Sequence, residues 1–397
     1  MLALFLNDAQ FHTSFDMGFS YRDNIRYREG LSKRVKISPA YSPIRIFDHY
    51  NLYNYIDKTF SPPLQKPMKI LINLLLIKYL FLIMNTVILY RHFSQCDIDL
   101  IHINNGGYPG AYSTISAVFA ARLAGINRVI YVINNIPAGY HSPERWLDYP
   151  IDRVLISLVT QFVTGSDFTR KKAIQILKIP SDKIIFIHNG IVPRPVTETR
   201  SQVLSRLELP DKSFIISVIA NLEERKGHIY LFKALQYLKE THPEIVLPLC
   251  LIEGTGPLET QLKKYVQDMN ISSHVVFLAH EEHIYNLLNA SDCIILPSIK
   301  DEDLPNVILE AMQLGKPIIA SSLAGIPEEI ETNSGILFPP GDSRELAEGI
   351  MRMISDESLR ITLGKNAKNR FNEKFTHEKA LKNYFTLYLD LLEDHGS

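Results

Sequence analysis

Short apolar runs alternate along the chain with longer stretches in which apolar positions recur every three to four residues. Unbroken apolar runs suit strands buried on both faces and the longer stretches suit helices, so the pattern predicts repeated β-α units and parallel sheets. In the first half, strands are expected over 100–104, 128–133, 161–164 and 183–187, with a helix over 113–124. Asn189-Gly190 marks a turn, and the polar, proline-bearing stretch from Pro193 to Arg200 opens a linker. The alternation then restarts, with strands over 214–220, 246–253, 275–278, 293–297 and 317–321. Helices are expected over 229–240, 258–269, 285–290, 306–314 and 345–355. The chain of 397 residues therefore divides into an α/β domain over 1–192, a linker over 193–212, a second α/β domain over 213–375 and a helical tail over 376–397. Ligands of such doubly wound parallel sheets bind at the carboxyl ends of strands, so the loops that follow strands carry the candidate chemistry.

Composition narrows the class. Hydrophobic residues at 46% and charged residues at 21% exclude a disordered or fibrous chain. The net charge of −1 conceals an asymmetry: residues 1–192 hold 21 Lys+Arg against 13 Asp+Glu (+8), and the remainder 21 against 30 (−9). A basic first half suits an anionic partner such as phospholipid or a lipid diphosphate, although two ordinary solvated surfaces give the same count. The stretch from Met68 to Phe93 is strongly apolar, but Lys69 and Lys78 interrupt it. Its longest uncharged run, Tyr79 to Tyr90, falls short of the roughly 18–20 residues of a spanning helix. With Lys66, Lys69, Lys78 and Arg91 it reads as a membrane-surface element over 66–93, or else as a core helix. Neither a basic leader nor a small-residue cleavage site follows Met1, and Cys96, Cys250 and Cys293 are scattered, so a reducing cytoplasmic location is expected. Nothing resembles a nucleic-acid module.

The stretch 297–317, PSIKDEDLPNVILEAMQLGKP, is the densest in chemistry. Glu302 falls in the loop before a helix and Glu310 about one turn inside it, with Pro305 suited to the first turn and Gly315 to the end. Helix N-termini favour phosphate, and carboxylates accept hydroxyls in pairs, so the arrangement suits a nucleotide sugar. Spacing alone suits a solvated acidic edge equally well. The stretch resembles the E-x7-E region of the family 4 (group 1) glycosyltransferases, E-G-[FL]-P/G-x4-E-A-M-x-x-G-x-P, through Pro297, Ser298, Glu302, Leu304, Pro305, Asn306, Glu310, Ala311, Met312, Gly315 and Pro317. Asn221–His228, with Lys226-Gly227 at its centre, resembles that family's diphosphate-gripping loop. Glu253–Pro257 resembles its glycine-rich turn, and Val275–His280 the strand and loop that read the nucleobase. Ala324–Ile330, Gly335–Pro339 and Asn189-Gly190-Ile191 match further landmarks.

The resemblance implies a GT-B fold, two Rossmann-like domains facing across a cleft, with the C-terminal helix crossing back to the first. It also implies a metal-independent, retaining hexosyl transfer from a UDP- or GDP-sugar, with no other cofactor. Lys226, helped by Arg225, would neutralise the leaving diphosphate; Glu302 would orient the donor sugar; Glu310 would hold the ribose. Leu304, Pro305, Asn306 and Val307, with Asn221, Gly227, Leu278 and His280, would complete the donor pocket. Asn105, Gly106 and Gly107 follow a strand and, with Asn134, would line the acceptor side. The acceptor expected is a lipid-linked or polysaccharide glycan, as in lipopolysaccharide biosynthesis, met at the inner face of the cytoplasmic membrane. Asp97-Ile-Asp99 spells a metal-binding DxD, yet it lies at the amino end of a strand, away from the ligand end, and no metal site is assigned.

The family pattern is broken at four places. Asn221 stands for an arginine and Asn134 for a histidine. Asp303 stands for a glycine, so either it adopts the left-handed conformation or the loop differs. Leu2–Asp8 looks like the end of the first helix and Phe15–Tyr21 like the second strand, so a truncated start, without the first strand and its glycine loop, is expected. Two alternatives stay open, a nucleotide-sugar 2-epimerase-like isomerase and a non-catalytic nucleotide-sugar-binding relative.

Overall fold

A computed structural model describes residues 8–15, 17–22, 40–74, 76–278, 281 and 283–393. The chain forms two compact units, Met1–Ile187 with Leu381–Ser397, and His188–Ala380.

In the first unit, α1 (Ala9–Ser14) precedes a parallel pair, β1 (Gly18–Arg22) and β2 (Ala40–Ile44). Helices α2 (His49–Thr59), α3 (Pro62–Leu74) and α4 (Ile77–Phe93) follow. Then β3 (Leu100–Asn105), α5 (Tyr112–Leu123), β4 (Arg128–Ile133), α6 (Pro143–Leu158), β5 (Gln161–Thr164), α7 (Asp167–Leu177) and β6 (Ile184–Phe186) build a parallel sheet in the order β3-β4-β5-β6. Strand β4 shows why the run 129–133 is apolar without alternation. Val129, Tyr131 and Ile133 join a cluster with α4 and α5, while Ile130 and Val132 join one with Phe11 and the C-terminal residues Leu381, Tyr384 and Leu387. Both faces are covered, so no position in the strand needs to be polar. Residues 1–7 lie outside the described part; Asp8 caps α1, accepting from Phe11 N at 3.0 Å, and the strand expected over 15–21 lies at Gly18–Arg22.

The apolar stretch 66–93 is not one helix. Leu76, in the left-handed region at φ 53°, ends the run of right-handed backbone between α3 and α4. One face of α4 is buried through Leu82, Asn85, Leu89 and Phe93, and the amide of Asn85 clamps both the N–H and the carbonyl of Phe47 at 2.8 Å. The opposite face leaves Leu80, Ile83, Val87 and Tyr90 exposed.

The second unit contains α8 (Arg200–Arg206), β7 (Ile215–Ile219), α9 (His228–Thr241), β8 (Leu249–Glu253), α10 (Glu259–Asp268), β9 (Val275–Leu278) and α11 (Ile284–Ala290). It continues with β10 (Cys293–Leu296), α12 (Asn306–Gln313), β11 (Ile318–Ser321), α13 (Ile326–Glu329), β12 (Ile336–Phe338), α14 (Ser343–Ser355) and α15 (Glu357–Lys374), and the start of α16 (His377–Glu393). Its six strands are parallel in the order β12-β11-β10-β7-β8-β9. Chain order reverses between β7 and β10, so the crevice beyond their carboxyl ends is the switch point at which such sheets take ligands.

The segment 193–212, expected as a linker, belongs to the second unit. Thr199 and Gln202 form a capping box that starts α8, and Val203 and Leu204 are fully buried with Leu287 and Ala290. The unit begins at His188 because its ring packs on Phe375 (5.2 Å between centroids) and Ile191 bridges to Thr376.

In the first unit Phe11 packs edge-on against Phe385 at 5.5 Å and Tyr388 at 5.7 Å. Phe11→Ala is expected to destabilise this unit by about 3 kcal/mol. The single tryptophan, Trp146, lies in the unit, so its fluorescence in a urea titration reads the lowered midpoint directly.

Candidate functional site

The site is built on three loops that interlock by close backbone contact. Gly227, at φ 68°, ends the loop after β7, and a side chain there would collide with the Pro297 carbonyl in the loop after β10. Ile299 N donates to Arg225 O at 2.8 Å across the same junction. Gly254, at φ 138°, opens the loop after β8 and meets the Ala220 carbonyl in the same way.

This approach brings the expected catalytic residues together. Glu302 is only 7% exposed, and its Oε1 accepts from Lys226 Nζ, from Arg225 Nη1 at 3.2 Å and from Ser298 Oγ at 3.1 Å. Arg225 is itself held by Glu223 Oε2 at 2.7 Å and by the Asp301 carbonyl at 3.3 Å. Two cations thus converge on one sheltered carboxylate, and a polyanion arriving at the switch point meets them both. The left-handed residue of the loop is Asp301, at φ 56°, and not Asp303. The loop meets its tight turn two residues earlier, and Asp303 is buried without a positive φ.

Helix α12 begins beside this cluster. Pro305 stands at the N-cap rather than in the first turn, and no side chain caps the helix there. The first-turn N–H groups of the segment Asn306–Val307 are therefore open to an anion. Leu304 is buried beneath them, while Asn306 is exposed. Glu310, one turn on, is half-buried; burial pushes its carboxyl above the usual range and the Arg194 guanidinium pulls it back. Asn221 is exposed in the β7 loop and Leu278 closes β9; His280 lies outside the described residues.

The residues expected on the acceptor side gather in the first unit at the carboxyl ends of β3 and β4. Asn134 Nδ2 donates to Asn104 Oδ1 and to Asn105 O, each at 2.7 Å. Asn105 is buried and spends its amide on Pro109 O at 3.1 Å and Tyr131 Oη at 2.8 Å. Both asparagines therefore shape the loop, whereas Gly106 has open space about it.

Two residues beside these groups had no sequence signal. Arg194 looked like linker. Glu329 follows Pro327-Glu328 as an ordinary acidic first turn, yet it is fully buried and neither carboxyl oxygen has a hydrogen-bond partner. Burial, then the Asp303 and Glu302 carboxylates, hold its carboxyl well above the usual range. Arg370 fixes the helix that carries it, donating to Glu329 O at 2.7 Å and Glu328 O at 2.6 Å.

The buried Glu329 carboxyl ties stability to pH. Unfolded, it releases its proton near its ordinary value; folded, it keeps it to higher pH. Folding takes up a proton in the window between, and stability falls as pH rises through it. Glu329→Gln removes this effect, so the variant is expected to melt higher than the parent at pH 8, with the gap closing toward pH 4. Thermal melts across that range test it.

Residues 200–370 match the family model described as glycosyl transferases group 1, and residues 58–194 that of glycosyltransferase family 4. Among curated proteins, the chain is 26% identical over 326 residues to an Escherichia coli UDP-Gal:alpha-D-GlcNAc-diphosphoundecaprenol alpha-1,3-galactosyltransferase, covering 77% of this chain and 78% of that one. Among solved structures, a glycosyltransferase from Rickettsia africae superposes with a TM-score of 0.76 at 18% identity, over 99% of this chain and 94% of that one. Anabaena HepE, solved in complex with UDP, gives 0.68 at 19% identity over 93% and 91%.

Proposed function

The chain belongs to the group 1, family 4 glycosyltransferases and has their GT-B fold, and from that premise we propose that it is a retaining hexosyltransferase working without a metal. Its donor is a UDP- or GDP-sugar, and its acceptor a lipid-linked or polysaccharide glycan in cell-surface glycan synthesis. The observation that carries this reading is the convergence of Lys226 and Arg225 on Glu302 beside the uncapped start of α12. The E. coli relative, named for a diphosphoundecaprenol acceptor, and HepE, solved with UDP, support the choice of acceptor and donor.

In this reading the donor diphosphate lies on the first-turn N–H groups of α12, with the backbone of Leu304–Val307, Gly227, Asn221 and Leu278 around the nucleotide. Lys226 and Arg225 turn from Glu302 to the phosphate oxygens as charge builds there; a donor of this kind is worth about 3 kcal/mol in the transition state. Glu302, still held by Ser298, accepts hydroxyls of the sugar, and Glu310 those of the ribose. The acceptor oxygen attacks the anomeric carbon on the face from which the phosphate departs, and the leaving phosphate oxygen takes the acceptor proton. That keeps the configuration and needs no protein nucleophile. Asn105, Gly106, Gly107 and Asn134 shape the acceptor side in the first unit.

The acceptor is met at the inner membrane surface through residues 66–93. No helix of the described residues is long and apolar enough to cross a membrane. Of the four basic residues in this segment, Lys69 pairs with Asp57 at 2.7 Å and Lys78 with Asp148 at 3.0 Å. Lys66 and Arg91 stay exposed with the apolar stripe of α4, the combination that lies in a headgroup layer.

Calorimetric titration with UDP, GDP and their sugar conjugates tests the donor site. One nucleotide is expected to bind, with Lys226→Ala and Glu310→Ala each weakening it at least tenfold, about 1.4 kcal/mol. A parent chain that binds neither nucleotide, or that releases an epimerised nucleotide sugar in place of a glycosylated acceptor, sinks the reading. The surface contact has its own check. Leu80→Glu with Ile83→Glu is expected to abolish flotation with anionic vesicles while leaving nucleotide binding unchanged.

A further inference from the structure

Arg194 lies in the segment 193–212, which is clasped within the second unit. The clasp is Asn286, a buried residue in the first turn of α11. Its Oδ1 accepts from Thr197 N at 2.8 Å and Glu198 N at 3.2 Å. Its Nδ2 donates to Thr197 Oγ1 at 2.9 Å and Glu198 Oε2 at 3.0 Å. Arg206 forks onto both oxygens of Glu198, at 3.1 and 2.9 Å, and reaches Glu281 at 2.9 Å. A buried amide spent on the backbone and side chains of two consecutive residues fixes where that stretch lies.

The consequence falls on the neighbouring residues. Tyr285 precedes the clasp and is buried, and the Arg194 guanidinium lies over its ring, 5.9 Å from the centroid. Arg194 is exposed, and no carboxylate of the described residues forms an ion pair with it. Helix α11 packs on α12, which carries Glu310. The three groups feel one another: the guanidinium favours the charged form of Glu310, and Glu310 adds to the burial that raises the Tyr285 hydroxyl.

We propose that Arg194 is a positioning residue of the nucleotide site: its guanidinium, set over Tyr285 by the Asn286 clasp, is the cation beside which Glu310 receives the two ribose hydroxyls of the donor. This rests on the proposed ribose role of Glu310. An ionised carboxylate accepts from both hydroxyls of a cis-diol, whereas a protonated one surrenders part of that capacity. The other elements packed on α12 bring no competing charge to Glu310. Strands β10 and β11 carry none, and α11 offers only Tyr285. Helix α15 buries Leu363, Gly364, Ala367 and Phe371; its Arg370 is committed to the Glu328 and Glu329 carbonyls and to Glu331, and its Lys368 lies at Gly315, beyond the end of α12.

The test is titration of the full chain with UDP and with GDP from pH 5.5 to 8.5, for the parent, Arg194→Gln, Arg194→Lys and Glu310→Gln. Arg194→Gln is expected to weaken the binding nucleotide about three- to tenfold near pH 6 and to approach the parent by pH 8.5, whereas Arg194→Lys follows the parent throughout. A glutamine variant that matches the parent at every pH, or is weakened equally at every pH, overturns the proposal. Glu310→Gln separates the two layers. If it binds as the parent does, the ribose assignment fails and this inference with it. If it binds weakly while Arg194→Gln is unaffected, only the role of Arg194 falls.

Discussion

Residue 227 lies where the loop leaving β7 crosses the loop leaving β10, and only a residue without a side chain fits against the Pro297 carbonyl at a positive φ. Everything at the switch point depends on that crossing. It sets Lys226 and Arg225 against a carboxylate 76 and 77 positions away in the chain, and it places this cluster at the start of α12. Gly254 repeats the device one strand over, so the loops at the carboxyl ends of β7, β8 and β10 meet by close backbone packing, to which Arg225 adds a bridge to the Asp301 carbonyl.

The electrostatics follow from that crowding. Glu302 is held by two cations and a hydroxyl, while burial and the neighbouring carboxylates push the Glu329 carboxyl well above the usual range. Two carboxyl groups in one neighbourhood differ in that only one of them was given partners. The cost of burying the second is borne by the fold as a pH-dependent loss of stability, a pattern of strain at functional ground rather than in the bulk core.

The doubly wound organisation was legible because strands such as β4 and β10 are covered on both faces, which leaves unbroken apolar runs bounded by turn residues. Expected strand bounds run one to three residues past the observed ends where such apolar runs continue into the loops, as at Pro297 and before Leu249. Helix α8 was not legible: seven residues with only Val203 and Leu204 facing the core leave no period to detect, and Pro193 and Pro195 dominated the reading. The break at Leu76 has no glycine or proline to announce it. At the site, a resemblance in motif joined Lys226, Glu302 and Glu310, which spacing alone could not. Glu329 and Arg194 matter through tertiary proximity, to Asp303 in one case and to Tyr285 in the other, and proximity of that kind leaves no trace in linear order.

The pairing of Lys226 with Glu302 also bears on how a catalytic cycle would end. In the proposed reaction the sugar that occupied Glu302 departs with the acceptor, and the carboxylate is left without its hydroxyls while the nucleoside diphosphate still holds the lysine. The internal ion pair then competes with the spent nucleotide for the same ammonium group. On that proposal the protein's own side chain would act as an intramolecular displacer of product, and a free diphosphate would meet a rival that the intact donor, by engaging Glu302, disarms.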